Sequence, residues 1–211
     1  MQKFSTPDTI KTIAFDLDGT LYDEFEFISQ AYLGVSEIIA DYLVKDRNLI
    51  YTSLCNKWLQ IGSSGNVFQA VAFEIASVEL PKEIITQCVL SYRLADIHLS
   101  VSRRTEWILD NLVADKRQLF IITDGDSSLQ RKKYDALQLN KWIIPEHVFV
   151  SGDYGKQFQK PNPLMGELLK RSSNYAGNTL YVGDRMIDKE FAENNGFVFL
   201  HVKNMQSFSS E

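Results

Sequence analysis

Five short runs of apolar and β-branched residues constrain this chain more than anything else in it: TIAFDLD from Thr12, LFIITDG from Leu119, VFVSGD from Val148, TLYVGD from Thr179 and FVFLHV from Phe197. Each is too short for a helix and too uniformly apolar for a strand with one wet face. They read as strands buried on both faces, the pattern of a parallel sheet. Helical patterns fill the later intervals: SLQRKKYDALQL from Ser128, NPLMGELLKRS from Asn162, and DKEFAENNG from Asp188, with Gly196 placed to stop the last. Alternating strands and helices predict an α/β fold, an open parallel sheet with right-handed crossovers.

The interval between the first two strands breaks that rhythm. Roughly a hundred residues stand where one crossover helix would suffice. From Ile28 the apolar positions Ala31, Tyr32, Val35, Ile38, Ile39, Tyr42 and Leu43 follow at three-and-four spacing, which predicts a helix. Further helical patterns cover Val67 to Ala76 and Ile84 to Leu94, and SRRTEWILDNLV then returns as a helix beside the sheet. The expected organisation is a core domain from residues 1–24 and 100–211 with a helical insert over 25–99.

Composition narrows the function. A net charge of −5 with no long basic run argues against a nucleic-acid partner. No stretch approaches the roughly 18 apolar residues of a membrane span, and MQKFSTPDTIK lacks the apolar core of a secretory signal. A soluble cytoplasmic protein with no membrane partner is expected. Cys55 and Cys88 lack metal-ligand spacing and lie in helical segments, so both read as free thiols. The tail KNMQSFSSE reads as mobile.

Acidic residues gather where strands end. Asp16 and Asp18 close the first run, before Gly19 and Thr20; Thr123, Asp124 and Gly125 close the second; Gly183 and Asp184 close the fourth, with Asp188 four residues on. Lys160 precedes the helix before that fourth strand. Ligand sites in open α/β sheets lie beyond the carboxyl ends of the strands. A lone DxD at such a place is a weak signal, since acids are common in turns; the same chemistry at three strand ends is a much stronger one.

In that order the segments DLDGT, ITDG, Lys160 in QKPNP, and VGDRMID resemble the four motifs of the haloacid dehalogenase superfamily, over about Thr12 to Val202. The resemblance implies a Rossmann-like core with the fourth strand beside the first, a helical cap as the insert, and magnesium-dependent hydrolysis of a small phosphorylated metabolite. It implies Asp16 as nucleophile, Asp18 as acid and base, and Lys160 as the cation beside both nucleophile and phosphate. Thr123, Asp124, Gly125 and Lys160 would meet the phosphate. Asp16, Asp18 through its carbonyl, Asp184 and Asp188 would serve Mg2+. An intact second aspartate argues against dehalogenation, because halide leaves without a proton. A phosphomutase using the same aspartates, or a non-catalytic regulatory module, are the alternatives.

Some residues stay open at this level. Asp124 stands where asparagine is common and would repel phosphate unless turned away or paired. Asp188, read first as a metal ligand or an orienter of one, has a helix cap as its alternative. Tyr22, Phe25 and Phe27 fit either a cleft or a core. Arg185 reads as a local ion-pair partner, and RKK, Arg131 to Lys133, as a solvated basic face. His98, His147 and His201 share no spacing and read as structural.

Overall fold

The computed structural model describes residues 6–63 and 65–205. In chain order its elements are β1 (Thr12–Phe15), α1 (Glu24–Leu43), α2 (Arg47–Ile61), α3 (Val67–Ala76), α4 (Lys82–Leu94), α5 (Arg103–Ala114), β2 (Gln118–Thr123), α6 (Ser127–Ala136), β3 (Val148–Val150), α7 (Leu164–Arg171), β4 (Thr179–Gly183), α8 (Met186–Asn194) and β5 (Val198–His201). The chain divides into two compact units, Met1–Glu24 with Leu99–Glu211, and Phe25–His98.

The first unit carries one five-stranded sheet, ordered β3-β2-β1-β4-β5 and parallel throughout. This is the expected α/β architecture, with β1 paired directly to β4 so that Phe15 lies beside Val182. Strand register puts Ala14, Phe120 and Tyr181 side by side on one face. Met165 and Leu169 from α7 and Phe191 and Ala192 from α8 pack on that face. The alternate residues Ile13, Phe15, Ile121 and Val182 point the other way and are equally buried. Both faces are therefore dry, and each large side chain withdrawn from water contributes about 1.5–3 kcal/mol. Helix caps fix where elements begin: Ser102 accepts from the Thr105 amide at the start of α5, and Asp126 from the Leu129 amide at the start of α6.

The second unit is helical, made of α1 from Phe25 onward and α2, α3 and α4. Phe27, Tyr32, Phe68 and Tyr92 form its aromatic centre, with Phe27 meeting Tyr92 edge-on at 4.9 Å between centroids. Phe27 is thus a core residue, and Cys55 and Cys88 are buried free thiols on α2 and α4. The helix α2 is marked by the sequence only as a helical segment around Cys55, without its bounds. It buries only Ile50, Leu54 and Cys55, a stripe too sparse to stand out by period, although Asp46 caps its start and Gly62, at φ +68°, ends it.

Most of the tail read as mobile, residues 206–211, lies outside the described residues; Val202–Asn204 form a 3-10 turn. Among the described residues no helix is long and apolar enough to cross a membrane.

Candidate active site

Everything proposed as chemistry sits at the carboxyl end of the sheet. Asp16 directly follows β1, and its amide still donates to the Val182 carbonyl at 2.9 Å, so the sheet ladder holds the backbone that presents its carboxylate. The chain then coils: the amides of Thr20 and Leu21 both donate to the Leu17 carbonyl. Gly19 makes the coil possible. It has φ +76°, and a Cβ there would stand 2.6 Å from Asp184 Oδ2, so any side chain would be strained and would displace the neighbouring acid.

Asp16 is wholly buried. Its Oδ1 accepts from Lys160 Nζ at 2.5 Å, while Oδ2 is buried without a hydrogen-bond partner. Burial pushes the Asp16 carboxyl up to about 7, against the pull of Lys160 and helped by the charge of Asp188. Beside it, Asp184 Oδ1 is also buried without a hydrogen bond, with Arg185 Nε 3.8 Å away. Burial raises this carboxyl too, with Arg185 opposing. One carboxylate oxygen each from Asp16, Asp184 and Asp188 lie within 4.8 Å of one another, a group that can hold a metal ion. Buried carboxylate oxygens without a hydrogen bond are costly, and a hard cation that takes oxygen ligands is what such a set fits.

Lys160 is held on every side. Its Nζ donates to Asp16, to Asp188 Oδ1 at 2.6 Å and to the Tyr181 hydroxyl at 3.1 Å, and that hydroxyl donates to the Ile122 carbonyl. Burial alone would lower the lysine, but Asp16, Tyr181, Asp188 and Asp124 hold it well above its ordinary value, hence charged. Its backbone amide donates to both oxygens of Asp124, at 3.1 and 3.3 Å. The acid in the place of the common asparagine is therefore paired with backbone. Asp188 caps α8, its Oδ2 accepting from the Arg185 amide at 3.1 Å, and its Oδ1 receives Lys160. Gly183 lets it approach, since a Cβ there would lie 2.5 Å from the Asp188 Cβ.

Asp18 occupies a different pocket. Its Oδ1 accepts from Lys133 Nζ at 2.7 Å and from the Tyr22 hydroxyl; its Oδ2 accepts from Gln130 Nε2 at 2.8 Å. Burial would raise this carboxyl, but the Lys133 charge and the hydrogen bonds from Lys133, Tyr22 and Gln130 outweigh it and hold Asp18 below the usual carboxylate value. The reading of Arg131 to Lys133 as a solvated face fails at Lys133, which is 3% exposed. Arg131 is exposed and pairs with Asp153 at 2.7 Å, and Lys132 is half-buried.

Thr123 is buried, and its hydroxyl accepts from the same Gln130 amide at 2.7 Å. The Gly125 amide donates to Ser151 Oγ at 3.3 Å. Gly152 permits that close approach of two loops, because a Cβ on it would lie 2.3 Å from the Gly125 carbonyl oxygen. Asp16, Lys160, Asp184 and Asp188 thus share one cluster, Asp18 and Thr123 are joined by Gln130, and Asp124 holds the Lys160 backbone. None of the three histidines enters the site. His147 bonds the Leu119 carbonyl and Asn174, the His201 ring accepts from the Lys203 amide, and the His98 backbone pairs with Gln30.

A family model described as haloacid dehalogenase-like hydrolase matches residues 13–202. The chain belongs to that family. It is 29% identical over 187 residues to the glyceraldehyde 3-phosphate phosphatase of Methanocaldococcus jannaschii, covering 86% of this chain and 78% of the relative. Its fold resembles a predicted phosphoglycolate phosphatase from Haemophilus somnus 129PT (TM-score 0.66, 17% identity, 97% of this chain and 100% of that one). It also resembles a haloacid dehalogenase superfamily hydrolase from Geobacter sulfurreducens (TM-score 0.61, 20% identity, 92% and 88%). Family membership and the phosphatase-named relative support a phosphatase.

Proposed function

We propose that this enzyme is a magnesium-dependent phosphatase of cytoplasmic small phosphorylated metabolites, working through an aspartyl phosphate on Asp16. One observation carries the reading. Asp16 is buried with one oxygen on a charged lysine and the other without a hydrogen bond among the described residues, in a cluster with Asp184, whose Oδ1 also lacks one. A structural ion pair has no use for two unsatisfied carboxylate oxygens; a site that takes a cation and a phosphate does.

Asp16, Asp184 and the Asp18 carbonyl would hold Mg2+, with Asp188 in the same cluster orienting Lys160. The chemistry such a cation supplies is neutralisation of phosphate charge, which otherwise repels an approaching carboxylate. Lys160 adds fixed positive charge against Asp16 and the phosphate. Thr123, and amides of the loop through Asp124 and Gly125, would donate to phosphate oxygens.

A carboxylate oxygen of Asp16 attacks phosphorus, and the bond from phosphorus to the ester oxygen breaks; Asp18, ionised in the free site, takes a proton from the entering phosphate monoester monoanion and gives it to the departing oxygen. Water then attacks the same phosphorus, Asp18 takes its proton, and the bond to Asp16 breaks. Inorganic phosphate leaves with that proton, and Asp16 and Asp18 are both ionised again. The helical unit, residues 25–98, would act as a cap that excludes water and supplies substrate contacts.

The test is phosphate release across a panel of metabolite phosphates, ranked by kcat/KM and begun with triose phosphates because the M. jannaschii relative is named for one. Expected are activity lost in chelator and restored by magnesium, and a phosphoryl group trapped on Asp16 by acid quench and mass spectrometry. Full turnover in excess chelator would remove the metal from the mechanism.

A further inference from the structure

The side chains that grip Asp18 are the one part of the site to which neither the sequence motifs nor the family relationship assigns a task. Gln130 and Lys133 lie three residues apart on one face of α6, 2% and 3% exposed. Lysine is almost never this buried without a partner, and burying a lysine and carboxylate as a pair is no better for stability than an apolar pair of the same size. Stability alone therefore gives little reason for this choice of residues.

The geometry supplies one. Lys133 and Tyr22 both donate to Asp18 Oδ1, whereas among the described residues Oδ2 receives only Gln130. A carboxylate oxygen accepts about two hydrogen bonds, so Oδ2 keeps capacity for a further proton-bearing group. Gln130 spends its other amide proton on Thr123 Oγ1, tying the segment after β1 to the end of β2. The helix that carries both residues is itself fixed: Asp126 caps it, and Ser127 and Arg131 are bound to Asp153 in the turn after β3.

We propose that Gln130 and Lys133 are positioning residues for proton transfer. They lock the Asp18 carboxylate with Oδ2 as its working oxygen and set its place relative to Thr123, which holds phosphate. The inference rests on the reading of Asp18 as the acid and base.

The experiment uses Lys133→Met, Gln130→Leu and Asp18→Asn, singly, and Asp18→Asn combined with Lys133→Met. The substrates are an alkyl phosphate, whose leaving oxygen needs a proton, and p-nitrophenyl phosphate, whose phenolate leaves without one. Losing the alignment should lower kcat for the alkyl ester about 10- to 100-fold with KM little changed. The nitrophenol burst should slow no more than about threefold, and phosphorylated Asp16 should accumulate. In the Asp18→Asn background Lys133→Met should add no more than about a twofold loss, since the carboxylate it serves is already gone. That double variant removes both charges of the Asp18–Lys133 pair, so it and Gln130→Leu carry the test if Lys133→Met fails to fold. Equal losses on both substrates, or a further tenfold loss in the double variant, would make the pair merely structural and overturn the inference while Asp18 keeps its role. Asp18→Asn with equal aryl and alkyl losses would instead remove the reading of Asp18, and this inference with it.

Discussion

Asp16 and Asp18 are two residues apart in one segment and have opposite surroundings. Asp16 lies in a dry pocket, has one oxygen bare, and rises to about 7. Asp18 has donors on both oxygens and is held below its ordinary value. A bare oxygen beside a lysine and a second acid suits a group that must gain a metal and then form a bond. A carboxylate with three donors suits a group that must stay in one place while protons come and go. Residue type is shared, so the difference in role comes wholly from the elements that supply the neighbours: the segment before α7, β4 and α8 for Asp16, and α6 for Asp18.

The largest expected effect breaks the comparison on the Asp16 side. Asp16→Asn should abolish the phosphoenzyme and lower kcat roughly 10⁴-fold or more, because an amide is a poor nucleophile and the residues of the site act as a unit. Mass spectrometry after acid quench checks it; a phosphorylated protein of normal yield would place the nucleophile elsewhere. Asp18→Asn should be milder and selective. With an alkyl phosphate the first step should slow about 10² to 10⁴-fold. With p-nitrophenyl phosphate a burst near one equivalent should precede slow turnover. If rapid-quench traces show no burst and equal losses, the contrast between the two aspartates is not one of nucleophile and proton carrier.

The two pockets also differed in how far they could be read before the structure. Asp16 and Asp184 were legible because each ends an apolar run, and strand ends of a parallel sheet converge on one edge whatever lies between; Lys160, in QKPNP before α7, was legible through the motif resemblance. The holders of Asp18 were not, since α6 is a polar helix with few apolar markers. A signal was nevertheless present. Leu129, Tyr134 and Leu137 mark the buried arc of that helix, and Gln130 and Lys133 fall within it at helical spacing. Reading the three basic residues as a run rather than by helix face hid that. Tyr181 was hidden differently: in a strand buried on both faces an aromatic reads as packing, and only the distance to Lys160 shows its hydroxyl at work.

A subtler measurement sharpens the Asp16 side without any substitution. In chelator, Asp16 and Asp184 are both raised, chiefly by burial, above the 3.8 of an unperturbed aspartate. From about pH 4 to 7 the folded chain then binds more protons at these two groups than the unfolded chain, so their contribution to stability falls as pH rises. Magnesium bound as proposed would take the ionised acids and counter that loss, so its stabilising effect should grow across the same window. Thermal unfolding with and without magnesium, at about pH 5 and about pH 7.5, checks the sign. An equal magnesium increment at both would mean that these acids are not its ligands.

The smallest expected effect concerns Asp124, which touches the Asp16 pocket only through backbone. Both of its oxygens accept from the Lys160 amide, at 3.1 and 3.3 Å, and asparagine would keep one such acceptor at nearly the same place. Asp124→Asn should therefore leave the Lys160 backbone in position and change kcat by no more than about threefold, removal of a neutral-acceptor equivalent being a matter of about 1 kcal/mol. Its direction is informative. Losing a negative charge beside the phosphate loop should lower KM for a dianionic ester, and the gain should shrink at high salt. Asp124→Leu, which has no acceptor, should behave differently: the Lys160 amide is left unmatched, the lysine loosens, and kcat falls about tenfold. Steady-state kinetics of the two variants at low and high ionic strength separates the outcomes. If Asp124→Asn were as damaging as Asp124→Leu, the carboxylate charge itself would be required, and Asp124 would belong with the two aspartates it is contrasted with here rather than with the frame that holds them.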